Sequence, residues 1–398
     1  MSCFLSKHQR FVKALLFTAA ALLLLCCALT AAQAEEARDL TADCSFSAST
    51  VYYRYSRCYD RDAETCFSTQ KDRDSWLEIG APNGESIHGL YICFGGKLTP
   101  WALQVCRDGK WQTVYEDNAA FAHVYVPVDG EAGVRILLTN GKAAQLVISE
   151  LYAFGEGEVP AFVQRWQPTV EDADLMVLTA HPDDEAIYFG GTIPYYAGER
   201  KMQVLVVYMT ANYLRRSELL NGLWAMGERN YPVIGDFDDR YCRTLSDGYK
   251  YWDGRKKVKE FLIGVIGRYR PEVIVSHDVN GEYGHGAHQV CADALLSVVP
   301  GTDVQKLYLH LYAENPIEMD WDQPLSAFGG RTAFEVAKEG FAAHVSQHTG
   351  MQYSPDTHQS EYFAVEPRGN TYSSYRFGLA YSAVGPDEAG NDFFEHVR

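Results

Sequence analysis

The sequence contains few basic residues. Over 398 residues, lysine and arginine number 35 while aspartate and glutamate number 52, and the formal net charge at pH 7 is −17. Proteins that bind nucleic acid depend chiefly on lysine and arginine to neutralise phosphates. The composition therefore argues against nucleic acid as a partner, and the sequence indicates no obligate protein partner.

Two cofactor signatures are missing as well. The ten cysteines include no Cys-x-x-Cys pair, which argues against a zinc site made of cysteines. The glycines at 190 and 191 do not form the Gly-x-Gly-x-x-Gly sequence of dinucleotide-binding loops. We therefore expect neither a cysteine-bound zinc ion nor a nucleotide cofactor.

Residues 1–34 have the three parts of an export signal. Lys7, Arg10 and Lys13 precede an uncharged stretch, which ends in the small-x-small sequence Ala-Gln-Ala at 32–34. The apolar stretch is also about long enough to cross a bilayer, so an uncleaved anchor is the alternative. We expect a signal peptide and a protein that is secreted or held at the cell surface.

Residues 40–157 are predicted to form an antiparallel β-sandwich. Their apolar runs are short and evenly spaced, and no long helical period occurs. The runs interpreted as strands lie at 76–79, 89–94, 101–106, 111–114, 134–138 and 146–154. The sequence Glu-Gly-Glu-Val-Pro at 156–160 ends this pattern and is interpreted as a linker between separate cores.

Five of the seven cysteines beyond residue 34 lie between positions 44 and 106. Export would place them in an oxidising compartment, where disulfides form. Cys93 and Cys106 each end a predicted strand, and they would pair if the two strands are neighbours.

The order of several short segments resembles discoidin or galactose-binding-like modules. These segments lie at 45–49, 60–65, 76–79, 108–111, 134–136 and 149–152. The resemblance implies attachment to glycans or other surface ligands. It also implies a structural calcium ion near Asp60, Thr65 and Glu150, since hard oxygen ligands suit that ion; a solvated acidic turn is the alternative.

Beyond the linker, residues 160–398 alternate between strand-like and helical patterns. Strands are predicted at 175–179, 204–208, 273–276 and 307–312, with helices beginning near 183, 215, 255 and 287. This alternation predicts an α/β fold, in which helices cover both faces of a parallel sheet. Such sheets bind their ligands at the carboxyl ends of the strands.

Two clusters of metal-ligand residues follow predicted strands. His181, Asp183 and Asp184 come after the first strand, and His285 and His288 come after the strand at 273–276. A catalytic zinc ion takes three protein ligands from imidazole and carboxylate groups and leaves a fourth position for water. His181, Asp184 and His288 would supply this set. Taken alone, Pro-Asp-Asp-Glu is also an ordinary helix start, with the proline as its first residue.

Both clusters resemble those of the PIG-L/LmbE-like zinc-dependent de-N-acetylases. The hallmark sequences His-Pro-Asp-Asp-Glu and Gly-His-x-x-His occur at 181–185 and 284–288, and segments at 215–218 and 344–347 are similar to further family segments. The resemblance covers roughly residues 172–398. It implies a Rossmann-like three-layer sheet without a dinucleotide, a zinc ion, and hydrolysis of the acetamide of an N-acetylated amino sugar.

The resemblance also implies roles for single residues. His181, Asp184 and His288 hold zinc, which lowers the pKa of its bound water, and Asp183 takes a proton from that water. Tyr283 approaches the acetamide oxygen.

His285 is expected to stabilise the oxyanion or to protonate the leaving amine. The family usually has an aspartate where this chain has Ala287, so His285 lacks a partner that would favour its protonated form. Asp278 or Glu282 could compensate, which leaves the acid role of His285 open.

Four further residues carry alternatives. Arg215 either holds a substrate hydroxyl or pairs with Glu218. His310 is predicted to be a packed strand residue. His344 and His348 stand four apart, which suits a metal, but a polar helix end is the preferred explanation.

Three functions are therefore in competition. The first is an exported zinc-dependent de-N-acetylase whose β-sandwich holds it on a glycan surface and takes no part in the chemistry. The second is a glycan-binding or adhesion protein with an inactive hydrolase domain. The third is a zinc amidase that acts on an acyl substrate other than a sugar.

Overall fold

The computed structural model describes residues 35–118, 120–347, 351–353, 361–364 and 370–397. The predicted export signal at 1–34 and His348 lie outside these ranges. Within them, no helix combines the length and apolar character needed to cross a membrane.

The amino-terminal part is an all-β sandwich of two antiparallel sheets. Five strands lie in the order β1-β3-β8-β5-β6 and four in the order β2-β9-β4-β7. The strands are β1 (Ser45–Ala48), β2 (Phe67–Ser68), β3 (Trp76–Gly80), β4 (Ile87–Phe94), β5 (Trp101–Arg107), β6 (Lys110–Asp117), β7 (His123–Glu131), β8 (Gly133–Leu138) and β9 (Val147–Phe154). Alternate residues such as Leu77 and Ile79 are buried between the sheets.

The predicted sandwich is confirmed, but the sequence missed strand β7. Its apolar alternation is interrupted by Pro127 and Gly130, and both residue types weaken a strand pattern. Cys93 and Cys106 do not meet the condition for pairing, because their strands are not neighbours. Cys93 is buried in the four-stranded sheet while Cys106 is exposed in the other, and all seven cysteines of the described residues are free.

The carboxyl-terminal part is an α/β fold around a seven-stranded sheet. Its strands lie in the order β12-β11-β10-β13-β14-β19-β15. The strands beyond the sandwich are β10 (Leu175–Thr179), β11 (Val204–Tyr208), β12 (Val233–Ile234), β13 (Val273–Ser276), β14 (Lys306–His310), β15 (Pro316–Glu318), β16 (Met351–Tyr353), β17 (Glu361–Ala364), β18 (Asn370–Ser373) and β19 (Arg376–Ser382). The helices are α1 (Asp184–Ile187), α2 (Tyr213–Ala225), α3 (Leu245–Tyr251), α4 (Arg255–Tyr269), α5 (Gly286–Val298) and α6 (Ala333–Ala342).

The sheet is parallel only from β12 to β14. Strand β19 pairs antiparallel with both β14 and β15 at one edge, so the sheet is mixed there and departs from the predicted parallel arrangement. The chain reaches β19 from the small antiparallel sheet β16-β17-β18, and antiparallel neighbours need no crossover helix. Strand β10 lies inside the sheet and is buried throughout, with apolar clusters on both faces. The Rossmann-like layering is therefore confirmed.

The β-sandwich packs directly on helix α2. Arg216 of this helix is buried, and its Nη2 donates to the carbonyl oxygens of Phe94 (2.7 Å) and Gly96 (2.8 Å). The backbone N–H of Ala122 donates to the Tyr231 hydroxyl at 3.0 Å, and Ala122 belongs to the apolar cluster on one face of the seven-stranded sheet. The sandwich has an apolar cluster of its own, and the two parts meet at this interface.

His123 is the most buried titratable group of this interface. Its Nδ1 lies 2.8 Å from Gln164 Oε1 and its Nε2 lies 3.3 Å from the hydroxyl of Ser217 on α2. A neutral ring satisfies both contacts, since one nitrogen donates and the other accepts. Burial lowers the pKa of His123 to about 4, Gln164 opposes that shift and Arg216 adds to it.

We expect the interface to lose stability as the pH falls. The unfolded chain binds a proton at His123 near pH 6.5, whereas the folded chain does so only near pH 4, so the contribution is intact above pH 6.5 and decreases from there towards pH 4. Between pH 7.5 and 4.5 the free energy of unfolding should fall by about 2–3 kcal/mol more than in His123→Gln. Urea unfolding of both proteins across this range measures the difference, and parallel curves would contradict it.

Candidate metal centre and active site

The carboxyl ends of β10 and β13 bring the two predicted clusters together. His181 and Asp184 follow β10, and His288 lies in the first turn of α5, which follows β13 after a short loop. All three side chains are buried. The sequence predicts a helix that starts at Pro182, but helix α1 begins at Asp184, with Asp183 as its N-cap.

Donor atoms of the three residues approach one another at about the spacing of a tetrahedral metal site, with His181 and His288 nearest to different oxygens of Asp184. Metal bonds of about 2.0–2.1 Å to nitrogen and oxygen require ligand atoms about 3.3 Å apart. His181 Nδ1 lies 3.3 Å from Asp184 Oδ2 and 3.3 Å from His288 Nε2, and His288 Nε2 lies 3.4 Å from Asp184 Oδ1. The residues therefore fit a metal ion with three protein ligands and one open position.

Two further histidines lie within reach of the same centre. In the part of the chain that the structure describes, donor atoms fall within 4.8 Å of one another in two groups, His181 with His285 and His288, and Asp184 with His277 and His288. The sequence analysis missed His277. It directly follows β13, so the strand-end reasoning that found the other residues could also have found it.

The Glu282 carboxylate contacts the Nδ1 atoms of three histidines. Its fully buried carboxylate lies 2.7 Å from His288 Nδ1, 2.9 Å from His277 Nδ1 and 2.6 Å from His310 Nδ1. A carboxylate on Nδ1 leaves Nε2 of His288 for the metal. Burial alone would lower the pKa of His288, but Asp184 and Glu282 raise it to about 10, and a bound cation would take the place of that proton.

His310 is buried in β14, as predicted. Its Nε2 also contacts the carbonyl oxygen of Ser373, so both ring nitrogens are occupied by protein groups. It therefore supports Glu282 without contributing a ligand.

Asp183 is buried beside the ligand Asp184 and lines the same cavity. Its Oδ1 accepts a hydrogen bond from Arg215 Nη2 at 3.0 Å. Burial raises the pKa of Asp183 to about 7, with Arg215 opposing the shift and Asp184 adding to it. A carboxyl group that titrates near neutrality suits a general base.

Arg215 pairs with carboxylates other than the one predicted. Besides Asp183, it donates to Asp239 at 3.1 Å and to the carbonyl oxygen of Pro182. Glu218 instead accepts from the backbone N–H (2.7 Å) and the hydroxyl (2.6 Å) of Ser346. The alternative of an Arg215–Glu218 pair is therefore wrong, and the role in substrate binding stays a prediction.

His285 has a backbone partner in place of the missing aspartate. Its Nδ1 accepts from the N–H of Ala287 at 3.1 Å, so the proton of the neutral ring lies on Nε2. Burial, together with His288 and His181, lowers the pKa of His285. Neither suggested substitute pairs with it, since Glu282 binds three other histidines and Asp278 accepts from Asn280. The geometry thus favours a neutral hydrogen-bond donor over an acid.

The site opens into a cavity of about 200 Å³. Its lining residues are His181, Asp183, Asp184, Arg215, Asp239, Tyr241, Tyr283, His285 and Gln347. Tyr283 packs edge-on against the rings of His285 and His288. Tyr241 is 54% exposed and packs edge-on against His285, so it stands at the mouth of the cavity. Asp239 and Tyr241 carry no local signal, and the sequence analysis missed them. Gln347 ends the family-like segment at 344–347, but the sequence assigned it no role.

The predicted calcium site is not assembled. Thr65 donates to Asp60 at 2.9 Å, but the Glu150 carboxylate is bound by Arg61 at 2.9 Å, so a guanidinium already supplies its positive charge. Among the described residues, neither Asp60 nor Glu150 belongs to a group with metal-binding spacing. Calcium remains a prediction from the resemblance.

Comparisons with known proteins agree with this site. Residues 176–299 match the family model described as "PIG-L: GlcNAc-PI de-N-acetylase". This range holds all but the first residue of β10, the whole of β13 and every residue of the candidate metal centre. Over these residues the α/β part of the chain is therefore similar to the PIG-L family.

Two curated relatives illustrate the similarity. A 1D-myo-inositol 2-acetamido-2-deoxy-alpha-D-glucopyranoside deacetylase of Mycolicibacterium smegmatis is 32% identical over 30% of this chain and 50% of its own length. A probable N-acetylglucosaminyl-phosphatidylinositol de-N-acetylase of Schizosaccharomyces pombe is 25% identical over 34% of this chain and 55% of its own. The chain thus spans about half the length of these relatives.

Solved carbohydrate-binding modules match a further part of the chain. The family 32 module of Clostridium perfringens NanJ, solved with galactose, covers 30% of this chain and 97% of its own at 17% identity and a TM-score of 0.25. A chitosan-binding module from Paenibacillus sp. IK-5 covers 30% and 99% at 17% identity and a TM-score of 0.26.

Proposed function

We propose that the protein is a zinc-dependent de-N-acetylase that hydrolyses the acetamide of an N-acetylated amino sugar. The spacing of His181, Asp184 and His288 carries the proposal, because donor atoms of these three buried residues approach one another at 3.3–3.4 Å. His181 and Asp184 also line a cavity that holds Asp183. The names of the relatives support the substrate class, since both describe removal of an acetyl group from a glucosamine unit.

Each residue around the cavity has a separate role in amide hydrolysis. Zinc, when bound, supplies a Lewis acid that activates water and polarises the acetamide carbonyl. Asp183 takes a proton from the attacking water and passes it to the amine as the C–N bond breaks and acetate leaves. Arg215 holds the Asp183 carboxylate in place. His285 donates a hydrogen bond from Nε2 to the carbonyl oxygen.

The proposal includes export and glycan attachment. The basic and apolar leader at 1–34 supports secretion or anchoring at the cell surface. The segment order of the β-sandwich, which resembles galactose-binding-like modules, supports a glycan ligand for this part of the chain. Binding there would raise the effective concentration of the enzyme at a polymeric substrate.

Acetate release tests the proposal. The purified protein is incubated with N-acetylglucosamine, its oligomers, N-acetylglucosaminyl inositol and an N-acetylated peptide, and metal content is measured on the same sample. We expect about one zinc per chain and release of acetate from at least one sugar. Release from the peptide alone would favour an amidase of other specificity, and a zinc-loaded protein inactive on all of them would favour the adhesion hypothesis.

A further inference from the structure

Asp183 has a backbone conformation that its residue type rarely adopts. Its φ is 112° and its ψ is −32°, in a region that favours glycine. Residues strained in this way persist only where their surroundings hold them, and they cluster at functional sites. The contacts that hold Asp183 therefore bear directly on the proposed reaction.

One of these contacts comes from Glu185, two residues further along. Its Oε2 accepts the backbone N–H of Asp183 at 2.9 Å, and the Glu185 side chain is completely buried. Arg215 restrains the Asp183 side chain, whereas Glu185 restrains its backbone. Glu185 lines no part of the cavity and therefore acts through Asp183.

His344 holds the other oxygen of the same carboxylate. Its Nε2 lies 2.9 Å from Glu185 Oε1, and its side chain is also fully buried just beyond helix α6. Helix α2 leaves room for this ring at Gly222, where a Cβ would lie only 3.0 Å from His344 Nε2 and 2.9 Å from the carbonyl oxygen of Gly340. Glu218, on the same helix, fixes Ser346 beside it.

We propose that Glu185 and His344 are positioning residues that hold Asp183 in its strained backbone conformation, with its carboxylate directed into the cavity. Neither residue touches the substrate. His344 keeps the Glu185 carboxylate in place, and that carboxylate fixes the Asp183 amide. Only the expected effect on turnover rests on the proposed function; the structural part of the inference does not.

The test compares Glu185→Leu with the conservative Glu185→Gln and with Glu228→Leu. Glu228 is a matched control, because its buried carboxylate also accepts backbone N–H groups, those of Arg229 and Asn230 at 2.8 Å, but it lies outside the cavity. We expect Glu185→Leu to lower kcat by about tenfold to a hundredfold, the range that small misplacements of a reacting group produce. KM and zinc content should stay within about twofold, and Glu185→Gln should restore part of kcat, since its amide oxygen still accepts from Asp183.

Hydrogen exchange separates this inference from the proposed function. Exchange of the Asp183 amide is followed by mass spectrometry of a peptide spanning 179–188. It should be faster in Glu185→Leu and as slow as in the parent in Glu228→Leu. This measurement needs no known substrate. His344→Leu serves if Glu185→Leu does not fold, with an expected loss of severalfold in kcat and faster exchange. Unchanged exchange at Asp183, or kcat within about twofold of the parent, would overturn the inference.

Discussion

His288→Ala should abolish both metal binding and turnover. The substitution removes one of three ligands, and two protein ligands are too few for a tight zinc site. It also leaves the buried Glu282 carboxylate without its 2.7 Å contact to the missing ring. We expect less than about a tenth of the parental zinc after dialysis, measured by plasma mass spectrometry, with no detectable acetate release.

His310→Gln is the matched control for this change. His310 contacts the same Glu282 carboxylate at 2.6 Å but supplies no ligand. Its loss should therefore remove one contact of Glu282 while zinc binding is retained. His181→Ala and Asp184→Ala should behave like His288→Ala. Stoichiometric zinc in all three alanine variants would show that the metal is held elsewhere and would remove the basis of the proposed function.

Asp183→Asn should separate metal binding from chemistry. The amide has nearly the shape of the carboxylate and can still accept from Arg215, so the fold and the zinc content should be unchanged. The asparagine amide cannot take a proton from water. Loss of a general base lowers turnover by on the order of a hundredfold or more. Acetate release under saturating substrate measures kcat, with zinc content determined on the same preparation.

An outcome within about threefold of the parent would mean that another group accepts the proton. Loss of zinc together with activity would instead mean that Asp183 supports the metal site. The two results are distinguishable because, among the described residues, Asp183 belongs to neither group with metal-binding spacing.

The grouping of the candidate metal ligands could be predicted because their signal is local. His181 and Asp184 follow one buried strand and His288 follows another, and parallel strands bring their carboxyl ends to the same edge of a sheet. Neighbouring strands thus convert a pattern in sequence into proximity in space. The same reasoning would have selected His277, had every strand end been searched.

The contacts of the buried carboxylates could not be predicted in this way. Glu218 stands three residues after Arg215 on one helix, and that spacing alone favours a pair. Tertiary structure instead brings Ser346 to Glu218 and Asp183 to Arg215, from segments far away along the chain. The positive φ of Asp183 likewise depends on its surroundings, since Pro-Asp-Asp-Glu reads as a regular helix start.

The Arg216 contacts have a consequence for anyone redesigning this chain. The sandwich cannot simply be replaced by another domain. A replacement must place two backbone carbonyl groups at the positions of those of Phe94 and Gly96. Without them a buried guanidinium would lose its acceptors, and an unpaired buried charge is strongly unfavourable. Arg216 directly follows Arg215, so a poorly fitting replacement would also disturb the helix that restrains Asp183. We therefore expect a chimaera to fold only if its sandwich and its helix α2 are taken from the same parent protein.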